Sequence, residues 1–276
     1  MARKSAKKKR SQKRPASKPA AKPSGKPSAK PTAAGTARKS QTRTRVVTLM
    51  IVAGITLLAL TAIIVVTVLS TRTSSEPAPI TGAADVASML QGIPQQNNVL
   101  GNPNAPVTMI EFADLKCPVC AKFSTTTMPQ LIDDYVRPGK LRIVFEFQTF
   151  VNSQKTPGDS ERGARFALAA GEQNKLWDFA ELHYKNQPPE DQQYFTDEYI
   201  TSLGNEIAGL KVPQAFSKTD TDAVSKELSD YKQDFSASGF NSDPTFQVGK
   251  TGTKPTNIAA QSLDYSVFKT AIDNLL

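Results

Sequence analysis

Several hydrophobic patterns succeed one another along this chain. Residues 46–70, VVTLMIVAGITLLALTAIIVVTVLS, are 25 positions without a charge, and a helix of that length, rising 1.5 Å per residue, exceeds the roughly 30 Å of a bilayer's hydrocarbon. This run reads as a membrane span. Residues 106–113, PVTMIEFA, and 141–148, LRIVFEFQ, are dense in β-branched and aromatic side chains and read as buried strands. A later pair, TFQV at 245–248 and NIAAQ at 257–261, flanks a turn containing Gly and Pro at 249–255. Helical spacing follows residue 117 to about 135 and recurs over 159–186, 196–208 and 219–235, with Ser160, Thr196 and Thr219 as N-caps and Gly209 as a stop. Residues 263–276 close the chain as a helix with Val267, Phe268, Ala271, Ile272 and Leu275 on one face. The order strand, helix, strand, helices, two strands, helix predicts an α/β domain over 99–276.

The polar stretches complete the organisation. Residues 1–45 have no periodic apolar face and no aromatic residue, and Lys18-Pro19, Lys22-Pro23, Lys26-Pro27 and Lys30-Pro31 recur every four positions. Proline cannot donate a helix hydrogen bond and like charges repel, so an unfolded, partly polyproline-II tail is expected. Residues 71–98, small and polar with Pro77 and Pro79, read as a spacer. The formal charge of +9 is the difference between a tail at +16, with no acidic residue, and a remainder at −7. The segment able to fold is acidic, which argues against a nucleic-acid-binding domain. The tail either meets anionic lipid headgroups or is a solvated segment whose charge fixes topology. Its charge beside the apolar run, against Arg72 alone beyond it, places the N-terminus in the cytoplasm and residues 71–276 outside. A cleavable signal peptide is the alternative, but its apolar core is shorter and no clear A-x-A site precedes Thr81.

Two cysteines and one histidine in the whole chain exclude a four-ligand zinc site of cysteine and histidine and a multi-disulfide scaffold. Cys117-Pro118-Val119-Cys120 falls between a strand and a helix. A sulfur at a helix N-terminus meets unpaired N–H groups and the positive end of the macrodipole, so Cys117 is expected to be the attacking thiolate. Cys120, three residues on and one turn inward, is placed to resolve a mixed disulfide. Pro118 fits the first helical turn. An inert i to i+3 staple is the plain alternative. A metal reading leaves Cys117, Cys120 and His183 one ligand short, and His183, in the helical run LWDFAELHY, reads as a surface or interface histidine. Gly249-Lys250-Thr251 imitates a phosphate-binding loop, but the motif needs glycine at 244, where Pro244 stands. No cofactor is expected.

Leu100-Gly101-Asn102-Pro103-Asn104-Ala105-Pro106-Val107, Glu111-Phe112-Ala113-Asp114 and Cys117-Pro118-Val119-Cys120 together resemble the DsbA-like branch of the thioredoxin superfamily. The resemblance covers about 99–276 and implies a thioredoxin-like fold with a helical insertion at about 157–240. It implies that Asp243-Pro244-Thr245-Phe246 is the cis-proline loop facing the cysteines, where a substrate peptide pairs with residue 243 beside Pro118 and Val119. The plain alternative for Pro244 is a proline opening an ordinary strand. The resemblance also makes Glu111 the buried acid that relays protons to the inner cysteine, the alternative being an exposed carboxylate on a half-wet strand. Two departures matter: Val119 stands where many relatives carry histidine, and Asp243 where threonine or valine is usual. A carboxylate there is expected near Cys117, raising its pKa and weakening the protein as an oxidant. The implied activity is extracytoplasmic thiol–disulfide exchange, as an oxidase of unfolded secreted or surface proteins with cysteines, recycled by a membrane redox partner. A reductase or isomerase, or a redox-inactive binding or sensor domain, stays open.

Overall fold

The computed structural model describes residues 38–70, 79–151, 158–258 and 262–276. The Lys-Pro tail, residues 71–78 of the expected spacer and residues 259–261 of the last expected strand lie outside the described residues. The chain divides into two units, Met1–Ser74 and Ser75–Leu276.

In the first unit, α1 (Arg38–Ser70) begins earlier than the apolar run, taking its basic flank into the helix. Within it Arg45–Val65 has a mean hydropathy of 2.6 and is long and apolar enough to cross a membrane. Leu49, Leu57, Leu58 and Ile63 are all exposed. A helix apolar on every side suits lipid rather than a protein core. Thr56 and Thr61 turn their hydroxyls back onto helix carbonyls one turn earlier, so they bring no unpaired donor into the apolar stretch.

The second unit starts before residue 99. The spacer expected over 71–98 gives way to α2 (Ala83–Leu90), β1 (Gln95–Gln96) and the start of β2 (Val99–Leu100). Val86 and Leu90, one turn apart on α2, and Ile93 just beyond it sink into the core. Thr81 and Asn186 exchange hydrogen bonds at 2.9 Å, and Lys185 reaches Asp85 at 2.6 Å, fastening this segment down.

Six strands form one sheet in the order β1-β2-β4-β3-β5-β6. Its centre is β3 (Val107–Asp114), parallel to β4 (Leu141–Gln148) from Val107↔Leu141 to Asp114↔Gln148 and antiparallel to β5 (Thr245–Lys250), which pairs in turn with β6 (Thr256–Asn257). Pairing on both sides explains the almost continuous burial of β3. On one face Glu111, Phe145 and Phe246 share a register row under α3 (Pro118–Thr126) and α6 (Leu176–Lys185). There Trp177 meets Phe145 at 5.6 Å, and Phe123, Phe246 and Phe268 of α10 (Tyr265–Asp273) form a ring cluster. On the other face Phe112 packs edge-on against Phe235 of α9 (Asp222–Ser238).

The helix expected from residue 117 to about 135 is interrupted. α3 ends at Thr126, α4 (Met128–Leu131) restarts with Pro129 in its first turn, and a π turn, Ile132–Val136, completes the run. Pro129 has no N–H for the carbonyl of residue 125. The long helix expected over 159–186 is two, α5 (Asp159–Gly171) and α6, separated by a turn in which Asn174 has φ +57°. α7 (Asp197–Asn205) is capped by Thr196 as expected but stops before Gly209. The short α8 (Val212–Phe216) precedes α9, where Thr221 rather than Thr219 caps. Ser160 is no cap either; its hydroxyl goes to Asp114.

Candidate functional site

The site lies where β3 runs out and α3 begins. Cys117 is the N-cap of α3 in extended backbone, and Pro118 takes the first turn, where its missing N–H has no partner to lose. The Cys117 side is 8% exposed, whereas Cys120, one turn along, is 0% exposed. Both thiols are free. Pro118 and Val119 are exposed on the rim, with Phe150 nearby in sequence to the end of β4 also exposed. The Asp243-Pro244 peptide is cis, and the Asp243 carbonyl lies 3.8 Å from Cys117 Sγ.

These surroundings split the two sulfurs. A hydrogen bond from Cys120 lowers the Cys117 pKa most, N–H groups of Cys120 and Val119 add to it, and burial and the Asp243 charge oppose. Cys117 comes out below the ordinary thiol value. Burial pushes Cys120 well up, with the Cys117 and Asp243 charges adding. Cys117 is thus the more acidic sulfur of the pair, and Cys120 is held as a thiol.

The Asp243 carboxylate lies near Cys117 and its charge raises that thiol, as expected, and it also reaches the inner sulfur. Oδ2 sits 3.8 Å from Cys120 Sγ and accepts the Asp114 N–H at 3.0 Å, so the group addresses the inner sulfur directly and Cys117 through its field. Burial raises the Asp243 pKa, and the Asp114 N–H partly offsets this. Cys117 Sγ, Cys120 Sγ and an Asp243 oxygen lie within 4.8 Å of one another. If a cation were held here, Asp243 would be the third ligand in place of His183.

Glu111 is 1% exposed, not on a wet face, and neither carboxyl oxygen has a hydrogen-bond partner among the described residues. Burial, then the charge of Glu181, hold its pKa well above the carboxylate range.

None of the residues that brace the loop is assigned this role by sequence. Asp114 joins four segments: Oδ1 accepts the Lys116 N–H at 2.8 Å and the Ser160 hydroxyl, Oδ2 accepts Val151 N–H at 3.0 Å, and its carbonyl accepts Cys117 N–H at 3.0 Å and Tyr184 O–H at 3.2 Å. Burial lifts its pKa to about 6 against these hydrogen bonds. Lys116 is fully buried, its Nζ 2.6 Å from Asp159 Oδ2 and 4.5 Å from the Tyr194 ring centroid. His183 is 0% exposed, the opposite of a surface histidine. Burial drops its pKa to about 4, so it is neutral: Nε2–H donates to the Leu115 carbonyl at 2.8 Å, leaving Nδ1 to accept from Tyr199 O–H at 3.0 Å. Gln187 donates to the carbonyls of Leu115 and Cys117 at 2.7 and 3.2 Å. The helices between β4 and β5 thus hold the loop that carries the nucleophile. The only sequence signal was the position of Asp114 and Lys116 just before Cys117.

A sequence model described as Thioredoxin matches residues 95–274. The probable disulfide bond formation protein D of Bacillus cereus is 31% identical over 131 residues, covering 47% of this chain and 55% of that protein. Disulfide bond formation protein D of Bacillus subtilis is 26% identical over 136 residues, covering 47% of this chain and 57% of that protein. The chain thus spans about half the length of the curated relatives it matches. The crystal structure of oxidised BdbD from Bacillus subtilis superposes with a TM-score of 0.55 at 22% identity, over 66% of this chain and 96% of that one, a likeness of fold.

Proposed function

Starting from the fact that the chain belongs to the thioredoxin family, we propose that it is an extracytoplasmic thiol–disulfide oxidoreductase that exchanges a Cys117–Cys120 disulfide with cysteines of secreted or surface proteins, working as an oxidase. The observation that carries this reading is the unequal pair of sulfurs: Cys117 at the mouth of α3 with a lowered pKa, Cys120 buried behind it with a raised one. A substrate thiolate attacks Cys117 of the disulfide, and Cys120 leaves. A second substrate thiolate then attacks its partner sulfur and releases Cys117, whose stabilised thiolate is a good leaving group. Stabilising the reduced form in this way favours the oxidising direction. The Asp243 charge works against it, which is the observation that favours a reductase as the second reading.

The exposed Pro118 and Val119 and the residue 243 backbone offer an edge for an unfolded segment to pair with as an added strand. Residues 46–70 act as a single-pass anchor with the basic tail in the cytoplasm, and a membrane redox partner recycles the disulfide. Acid quenching and thiol alkylation of growing cells test the direction: mostly oxidised Cys117 and Cys120 fit an oxidase, mostly reduced ones a reductase. Cys120→Ala accumulates mixed disulfides through Cys117 and Cys117→Ala accumulates none; equal trapping by both overturns the roles. A membrane-impermeant thiol reagent applied to intact cells after reduction labels Cys117, and labelling only after lysis reverses the orientation.

A further inference from the structure

The exchange chemistry leaves open where the proton of the buried sulfur goes. Cys117, Cys120 and Ser124 lie at i, i+3 and i+7 of one helical path, a row that runs from the nucleophile into α3. Cys120 and Ser124 are buried, and the Ser124 hydroxyl donates to Glu181 Oε2 of α6 at 2.6 Å. Glu181 is 3% exposed, and its Oε1 has no hydrogen-bond partner among the described residues. Across the layer, both oxygens of Glu111 on β3 are likewise without one. Tyr184, one turn beyond Glu181, donates its O–H to the Asp114 carbonyl, and the charges of Cys120, Glu111, Asp114 and Glu181 all raise its pKa after burial. Ser124 and Glu181 also reach the wall of a surface cleft of about 500 Å³, with Asp85, Met89, Pro129 and Lys185.

We propose that Glu181 is a second proton carrier, connecting Glu111 and Cys120 to solvent through this cleft, away from the sulfur that meets substrate. The inference rests on the oxidoreductase reading above. When a substrate thiolate attacks Cys117, the Cys117–Cys120 bond breaks, a Cys117–substrate bond forms and the electron pair goes to Cys120. Cys120 then takes a proton from Glu111 and Glu111 takes one from Glu181, each across bridging water because neither Glu111 oxygen has a hydrogen-bond partner among the described residues, and water in the cleft reloads Glu181. Every transfer runs backward when Cys120 attacks a mixed disulfide, and no oxidant beyond the disulfide is needed. The electrostatics agree with the geometry. Burial and the Glu181 charge keep Glu111 protonated well past ordinary carboxylates, and burial lifts Glu181 to about 7 against the Ser124 hydrogen bond. The charges around Glu181 are Glu111 from β3, Cys120 from α3, Lys185 on its own helix, Asp85 from α2, and Asp133 and Arg137 on the cleft wall, with Lys185 paired to Asp85 and Arg137 to Asp133. Glu181 acts through Glu111 and is a positioning residue for the proton, not a group that touches substrate.

The test is stopped-flow formation of the mixed disulfide between the oxidised full chain in detergent and a cysteine-containing peptide, across neutral pH, in light and heavy water. Glu181→Gln should slow it at least about tenfold, the low end of general acid–base contributions, abolish the inflection near neutrality and enlarge the solvent isotope effect, while the Cys117 thiolate titration stays in place. Ser124→Ala keeps the carboxyl and removes the hydrogen bond that lowers its pKa, so the inflection should move to higher pH; this arm serves even where Glu181→Gln fails to fold. An unmoved profile in Ser124→Ala, or in a folded Glu181→Gln whose Glu111→Gln counterpart is slowed, overturns the role of Glu181 and leaves the oxidoreductase reading intact. Absence of any mixed disulfide in the wild type sinks that reading and this proposal together.

Discussion

Asp159→Ala isolates the buried ion pair behind the nucleophile. The Lys116 side chain has no exposure, and Asp159 is 7% exposed. Truncation removes the carboxylate 2.6 Å from Nζ and also the acceptor of the Tyr194 and Phe195 N–H groups at 3.0 Å. The ammonium keeps the Gln192 carbonyl at 2.5 Å and the Tyr194 ring, neither of which neutralises it. Breaking a buried pair by removing one partner costs about 3–5 kcal/mol. With a urea slope of about 2 kcal/mol per molar, the unfolding midpoint should fall by roughly 2 M. Urea titration of the full chain in detergent, followed by the fluorescence of the single tryptophan, Trp177, reads this out. Asp159→Asn, which keeps an acceptor but not the charge, should fall between wild type and Asp159→Ala. Lys116→Met with Asp159→Leu should recover most of the loss, since two apolar groups leave no orphaned charge. A loss under about 1 kcal/mol for Asp159→Ala would refute the reasoning, because it would mean that water reaches Lys116 and the pair is only a surface contact.

Three further outcomes are expected. Cys120→Ala removes the hydrogen bond that lowers Cys117 most, so the Cys117 pKa should rise, as followed by thiolate absorbance; no rise would transfer the stabilisation to the helix N–H groups. Glu146 is lifted to about 8 by burial and the Asp234 charge. The folded chain therefore holds a proton that the unfolded chain loses near pH 4.3, and stability should fall with rising pH from about 4.3 to about 8 and level off above; Glu146→Gln should flatten that slope in pH-dependent denaturation. Phe123→Ala, at 0% exposure with Phe246 and Phe268 rings at 4.5 and 5.1 Å, should cost about 3–5 kcal/mol of unfolding free energy in the same urea assay.

How much of this was legible follows from the range of the forces involved. The strands read at 106–113 and 141–148 are continuous runs of β-branched and aromatic residues, and Cys117-Pro118-Val119-Cys120 between strand and helix is a local arrangement, so fold and nucleophile could be read along the chain. The breaks at Thr126 and Asn174 were harder. The apolar spacing continues through both, and only Pro129 and the left-handed Asn174 mark them. The fold's early start was missed, because Val86, Leu90 and Ile93 stand among polar residues and 71–98 therefore reads as a spacer. The bracing of the loop could not be read, since Lys116 and Asp159 lie 43 positions apart and Leu115 and His183 68 apart, and no period links them. Asp243 shows the finer limit: its place in the loop was foreseen, but which sulfur its carboxylate faces depends on the Asp114 N–H that holds it.

Both cysteines of this chain sit in the candidate exchange site, and the core around them is closed by aromatic and aliphatic side chains such as Phe123, Phe145 and Trp177. The architecture is therefore indifferent to the product of its own chemistry. In the oxidase reading proposed above, a copy can reach its native shape before any oxidising equivalent arrives, and one stripped of its disulfide by substrate keeps the scaffold needed to be recharged. On that reading a circular dependence is broken: a catalyst of cross-linking that itself needed a cross-link to fold could not found its own population in a cell that had none.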